Sequence, residues 1–267
     1  MVISSRENPH VQRFKKLISS AKFRREEGLF VIEGARAVAD AAAENAALVT
    51  MLLTEEAAEK YGALLNFNKL TAAAGGAVYT ISEQLAAQIS GTERPQGVFA
   101  AVKTLDKTLS ADTMDSSGKY LLLNRLQDPG NLGTILRTAD AVGISGVIMT
   151  RDCCDLYNPK AVRATMGSLF RLAIFTDCDY GDALSALTGA GLVTYAAVVG
   201  ADAADAAEVR DADFSRPCAV VIGNEGAGLS AEEAALCAAR VTIRMNGTIN
   251  SLNASAAAAI ILWEMFR

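Results

Sequence analysis

A single histidine, His10, and the absence of any Cys-x-x-Cys pair set the first limits on this 267-residue chain. Cys153, Cys154, Cys178, Cys218 and Cys237 have too few partners at usable spacing for a zinc site, so no metal is expected. Reduced thiols are the simplest account of them and point to the cytoplasm. His10 lies far along the chain from every motif below and reads as a surface or capping residue. Long apolar runs are also missing: the start is polar, and the apolar C-terminal stretch is interrupted and ends in Glu264 and Arg267. Neither a signal peptide nor a membrane helix is expected. Positive charge is in deficit, with 25 Lys and Arg against 30 Asp and Glu, and a net −5 argues at first against a nucleic-acid partner. What is present, 51% hydrophobic and 21% charged residues, suits a globular protein of one or two domains.

Polar chemistry is concentrated in three islands. The apolar run Tyr120-Leu121-Leu122-Leu123 meets the turn signal Asp128-Pro129-Gly130 and then Asn131-Leu132-Gly133-Thr134-Ile135-Leu136-Arg137, which reads strand, loop, helix. Asn131 is placed near the helix N-terminus, where free N–H groups favour acceptors and anions, and Arg137 follows within two turns. By itself this is an N-cap and a solvated arginine as readily as a phosphate or ribose site. The second island, Val220-Val221-Ile222-Gly223-Asn224-Glu225-Gly226-Ala227-Gly228-Leu229-Ser230, runs from a strand into a glycine-rich loop suited to backbone pressed against a ligand. The third, from Val241 through Asn246-Gly247 to Ser251-Leu252-Asn253-Ala254-Ser255, precedes an apolar helix and carries more polar groups than one cap requires. In an α/β domain, loops at strand C-terminal ends converge on one crevice, so the three islands are expected to line a single site.

In order and spacing, segments 124–143, 222–230 and 243–264 resemble the three motifs of the SpoU-type RNA 2'-O-ribose methyltransferases of the SPOUT class. Arg244 stands where that family usually has proline, and Asn250 where relatives are often acidic. More weakly, Phe30-Val31-Ile32-Glu33-Gly34 and Gly91-Thr92-Glu93-Arg94-Pro95-Gln96-Gly97-Val98 look like the two ends of the small α/β substrate-binding domain found ahead of many SpoU-type domains. The resemblance implies S-adenosylmethionine as methyl donor, held by Gly223, Asn224, Gly228, Ile243, Met245 and Leu252. It implies a catalytic and RNA-facing cluster of Asn131, Arg137, Glu225, Ser251 and Asn253, and a homodimer with the site near its interface. Helix 254–263 is the candidate contact. A guanidinium keeps its proton up to a pKa above about 12, so Arg137 is read as a phosphate ligand and electrostatic stabiliser, with the base left open.

Domain organisation follows from breaks in pattern. A basic helix over 9–26, a strand at 29–32, a helix at 35–45, a strand at 48–53, a helix at 55–65, a strand at 78–80, a short helix after Ser82 and a strand at 97–102 form the first unit. This gives 1–102 as a basic N-terminal arm with an RNA substrate-binding domain, 103–118 as a linker without apolar period, and 119–267 as the methyltransferase domain. In the last, strands at 120–123, 146–149, 172–175, 192–197, 218–222 and 241–243 alternate with helices at 131–142, 159–167, 181–190, 230–239 and 252–265. Such alternation implies a mainly parallel sheet covered on both faces. Physics alone gives an ordinary open sheet; the resemblance implies a C-terminal trefoil knot.

Charge is unevenly spread. Residues 1–28 carry seven basic side chains, Arg6, Arg13, Lys15, Lys16, Lys22, Arg24 and Arg25, against three acidic, a net +4 that leaves −9 on the rest. Arg13, Lys15, Lys16, Lys22, Arg24 and Arg25 are candidate phosphate contacts, although such runs are usually solvated, paired helix faces. A separate domain and basic arm suit a large folded RNA, favouring ribosomal over transfer RNA. An RNA-binding ribosome-associated factor that lost transfer is a further alternative. The remaining rival is a nicotinamide-dinucleotide oxidoreductase, because Gly226-Ala227-Gly228-Leu229-Ser230-Ala231 fits G-x-G-x-x-A between strand and helix. No acidic residue lies between Glu233 and Glu264 to bind a ribose, and one strand at most follows. Arg244 keeps a 2'-phosphate in view.

Overall fold

The computed structural model describes every residue except Met1, 66–76, 91–93, 201–204, Asn246 and 248–250. Asn250 and the Gly91-Thr92-Glu93 end of the weaker motif therefore lie outside the described residues. Contacts divide the chain into two units, Met1–Leu105 with Tyr157–Arg171, and Asp106–Leu156 with Leu172–Arg267. No helix of the described residues is long and apolar enough to cross a membrane.

The first unit opens with β1 (Val2–Ile3), α1 (Pro9–Ser19) and α2 (Ala21–Glu27), then β2 (Leu29–Glu33), α3 (Ala35–Ala43), β3 (Leu48–Leu53), α4 (Glu55–Leu65), β4 (Val78–Ile81), α5 (Glu83–Ile89) and β5 (Val98–Lys103). Its sheet has the order β1-β4-β3-β5-β2, with β5 antiparallel to both neighbours and the other pairs parallel. Phe14, Leu17, Leu29, Leu52 and Phe99 share one core. The helix expected over 9–26 is two helices. Ser20 adopts an extended conformation between them, and its hydroxyl accepts the Phe23 N–H at 3.2 Å. Serine weakens a helix interior and stabilises a helix start, so the break costs little.

The second unit runs β6 (Lys119–Leu123), α6 (Pro129–Val142), β7 (Gly146–Thr150), then, beyond α7 (Pro159–Thr165), β8 (Ile174–Cys178), α8 (Tyr180–Gly189), β9 (Val193–Ala197), β10 (Ala207–Glu208), β11 (Cys218–Ile222), α9 (Ala231–Ala235), β12 (Ala239–Thr242) and α10 (Ala254–Phe266). Every pair in its sheet, β10-β12-β9-β11-β6-β7-β8, is parallel. All five residues of β11 are buried, as a continuous apolar run flanked by strands on both sides should be. From β6 the chain steps outward through β7 and β8, then returns to build β9 on the other side, with β11 filling the gap. The carboxyl ends of β6 and β11 thus lie at the switch point, where open α/β sheets hold ligands.

Further elements differ from the sequence expectation. The helix at 230–239 stops at Ala235, because Ala239, Arg240 and Val241 pair with Tyr195, Ala196 and Ala197 of β9. Sheet pairing overrides alanine's helix propensity there. The strand expected at 172–175 begins at Ile174, whose partner in β7 is Val147. Helix α7, read with the second domain, belongs to the first unit, where Phe30 stacks on Tyr157 and Phe170 with ring centroids 4.6 and 6.3 Å apart.

Candidate active site

The scaffold of the site is set where β6 ends. Asn124, 2% exposed, donates its amide to Glu233 Oε1 at 3.0 Å. Arg125, a non-glycine residue at φ +56°, grips the same carboxylate with both Nη atoms, Nη2 to Oε2 at 2.9 Å. Its own N–H donates to Thr150 Oγ1 at 3.0 Å. Glu233 also caps α9, accepting the Ser230 N–H at 2.8 Å. The Arg125 guanidinium holds the Glu233 carboxyl down to about 2 against the opposing effect of burial, with Ser230 and Asn124 assisting. The folded value lies below the unfolded one, so this stabilisation is complete above pH about 4.5 and is lost as pH falls toward 2. Glu233→Gln should cost roughly 1–3 kcal/mol at neutral pH, discounted for partial exposure. It should also flatten the acid limb of stability. Urea titrations from pH 7 to 3 check this; parallel curves for wild type and variant would refute it.

Asn224 ties the second loop to the first. Its amide donates to the Arg125 carbonyl at 2.9 Å, while its Oδ1 accepts the N–H groups of Gly226 and Ala227, both at 2.9 Å. The side chain thus holds its own loop and the first one together, and one amide N–H is left over. Gly223 is explained by the same return of the chain. A Cβ there would stand 2.4 Å from the Gly228 carbonyl carbon and 2.5 Å from the Leu229 nitrogen. What forbids a side chain is the loop's own backbone, whereas the sequence suggests close approach of a ligand.

Glu225 joins the three islands. Its carboxylate accepts the N–H groups of Gln127 and Asp128, at 2.9 and 2.8 Å, and the Asn131 amide at 3.2 Å. Burial pushes the carboxyl up, but the Asp128 and Gln127 N–H groups, its own N–H and the Asn131 amide together hold it below the ordinary value. Asn131 Oδ1 in turn accepts the Asn253 amide at 3.0 Å. Asn253 caps α10, its Oδ1 accepting the Ser255 N–H at 2.9 Å and the Ser255 hydroxyl at 2.6 Å. Asn131 is not the cap of α6. Asp128 is, accepting the Asn131 N–H at 2.8 Å with Pro129 in the first turn, and this frees the Asn131 side chain for the network.

Beside this network lies an open cleft lined by Gly223, Asn224, Gly228, Ile243, Met245 and Leu252, the residues read as donor-binding. Glu225 and Ser251 also reach it. Sequence reasoning missed Ala197, Val198, Val199 and Val209, which complete an apolar wall. The signal available was the place of Ala197, Val198 and Val199 at and just past the end of β9, next to β11 in the sheet; Val209, after β10, had none. Arg137 is exposed on α6, makes no hydrogen bond or ion pair among the described residues and does not line the cleft.

The basic arm is only partly a free charged surface. Arg24 is 3% exposed, and its guanidinium donates to the carbonyls of Leu17 and Ile18 at 2.5 and 3.1 Å. This corrects its reading as an RNA contact: it closes the end of α1. Arg13 bonds Glu27, Nε to Oε2 at 2.9 Å, Lys15 reaches Gln88 at 3.2 Å, Lys16 lies over the Phe23 ring and Lys22 faces Glu26. Arg25 is exposed. His10 stacks on Tyr79 at 4.1 Å. All five cysteines are free, and burial, with Cys153 and Glu225 assisting, pushes the Cys154 thiol up to about 12. Among the described residues no group of His, Cys, Asp and Glu could hold a metal.

The SpoU rRNA Methylase family matches residues 118–263, and the MRM3-like substrate binding domain matches residues 8–100. The 23S rRNA (guanosine(2553)-2'-O)-methyltransferase RlmP of Bacillus subtilis is 29% identical over 265 residues, 98% of this chain and 98% of the relative. An AdoMet-bound rRNA methyltransferase from Sinorhizobium meliloti has a TM-score of 0.87 at 32% identity, covering 99% of this chain and 97% of that one. The SpoU methyltransferase AviRb from Streptomyces viridochromogenes, in complex with the cofactor AdoMet, has a TM-score of 0.83 at 30% identity, over 97% of both chains.

Proposed function

Because the chain belongs to the SpoU rRNA methylase family, we propose that it transfers a methyl group from S-adenosylmethionine to a ribose 2'-hydroxyl of ribosomal RNA. The observation that carries this reading is the hydrogen-bonded chain Glu225–Asn131–Asn253, which brings the three islands together beside an apolar, glycine-edged cleft. Bound there, the donor supplies an electrophilic methyl on a sulfonium. The residues fit it: Ile243, Met245, Leu252 and Val209 offer apolar surface for a flat base, and Gly223 and Gly228 keep the rim free of side chains, so that a ligand can approach the loop backbone.

In this reading Glu225 positions and does not abstract. A carboxylate that accepts three hydrogen bonds and is held below its ordinary value is a weak base at neutral pH. It fixes the Asn131 amide, leaving that amide one N–H and one lone pair for the ribose. Ser251 on the cleft wall and Asn253 at the start of α10 border the same spot. Arg137 meets the phosphate next to the target ribose and stabilises charge developing on the attacking oxygen. The accessible cations of the first helices, Lys16, Lys22 and Arg25 among them, supply attraction for the RNA backbone. We carry the knotted C-terminal threading and the cytoplasm as parts of the same reading. Mapping 2'-O-methylation across total RNA, with and without the protein, tests it. A lost site in ribosomal RNA is expected, and a site confined to transfer RNA would overturn the choice of substrate.

A homodimer belongs to the proposal as well. Ile260, Trp263 and Phe266 are 39, 65 and 38% exposed along α10, an apolar strip that a lone chain leaves to water. Sedimentation at micromolar concentration should give a dimer, and Trp263→Glu should convert it to monomer. Wild-type protein sedimenting only at 28.0 kDa would contradict this.

A further inference from the structure

We propose that Glu208 is a positioning residue for the donor cleft, acting through an ion pair with Arg244; the proposal rests on the reading of that cleft as the S-adenosylmethionine site. Arg244 sits between Ile243 and Met245, both of which line the cleft, while Glu208 precedes Val209, which lines it from another segment. Arg244 Nη1 donates to Glu208 Oε1 at 3.1 Å, so one ion pair links two walls that lie 36 residues apart in sequence. Arg244 itself is not a wall residue, and its side chain is 67% exposed. Its charge therefore serves the loop and not the ligand.

The segment carrying Glu208 needs such a tie. β10 is two residues long and pairs with β12 only through Ala207 opposite Val241 and Glu208 opposite Thr242. A ladder that short contributes little on its own. Side chains supply the rest: Arg210 Nε lies 2.8 Å from Glu208 Oε2, and Arg267 Nη2 donates to the Arg210 carbonyl at 3.3 Å. Glu208, 23% exposed, is thus shared by Arg210 on its own segment and Arg244 on the loop after β12. The loop after β12 is thus tied to the neighbouring segment by charge. A partly exposed ion pair is screened by salt, so the cleft acquires a salt dependence.

The test is donor affinity, measured by calorimetry with S-adenosylmethionine at about 0.05 M and about 0.5 M salt, a range over which screening tightens. Wild type, Glu208→Gln, Arg244→Gln and the double variant are compared. Each single variant should bind about two- to fivefold more weakly at low salt, the scale of such a pair. The double variant should be no worse than either single one. Wild type should converge on the variants at high salt, and turnover at saturating donor should be unchanged in all four. Unchanged affinity in Glu208→Gln, or losses that add in the double variant, would overturn the coupling. A wild type that binds no donor would instead overturn the functional reading beneath it.

Discussion

Arg137→Ala should lower methyl transfer by about a hundredfold or more while leaving S-adenosylmethionine affinity unchanged, the scale for removing one preorganised electrostatic stabiliser. Arg137 is exposed, has no partner among the described residues and lies outside the cleft wall, so its loss breaks neither the loop network nor the donor site. Arg137→Lys should recover only part of the rate, since an ammonium keeps the charge but not the planar fork that meets a phosphate in two places. Single-turnover rates and calorimetry on the same preparations check both halves. Loss of donor affinity in Arg137→Ala would place the residue in the wrong half of the site.

Gly223→Val should do the reverse and weaken donor binding by at least tenfold. The new Cβ would fall 2.4 Å from the Gly228 carbonyl carbon and 2.6 Å from its oxygen, where no flexible side chain can yield. Asn224 and Gly228 form a bridge at that point, and Arg125 reaches the Gly228 carbonyl at 3.4 Å. Pushing the strand of the loop aside therefore disturbs both the cleft edge and the Arg125–Glu233 anchor, at a cost of roughly 1–3 kcal/mol in stability. Gly228→Ala is the comparison: its Cβ meets nothing within 4 Å, although φ is +66°. Only the left-handed backbone penalty applies, about 1–2 kcal/mol. Donor titrations and thermal melts should rank wild type, Gly228→Ala, then Gly223→Val. Equal donor affinity in Gly223→Val and wild type would refute the packing argument.

The site was legible in the sequence to the extent that chemistry was local. Each island carries its strand, turn and polar residues within 18 positions or fewer, and the parallel alternation requires their loops to share one edge of the sheet. Tertiary choices were not legible. Asn131 and Asp128 are both good caps three residues apart, and Pro129 decides between them by favouring the first helical position. The charge of Arg24 reads as a phosphate contact until the turn at Ser20 folds it back onto the carbonyls of α1. Val209 is an ordinary apolar residue between Glu208 and Arg210, outside all three islands, so its part of the cleft wall was silent. Two-residue strands such as β10 lie below the length at which any period can be read, and so the partner of Arg244 stayed hidden.

The central claim is the acceptor atom. Ribosomal RNA incubated with the protein and methyl-labelled S-adenosylmethionine, digested to nucleosides and separated, should yield the label in a single 2'-O-methylnucleoside, lost in Arg137→Ala. Label on a base, or none despite measurable donor binding, would contradict the account.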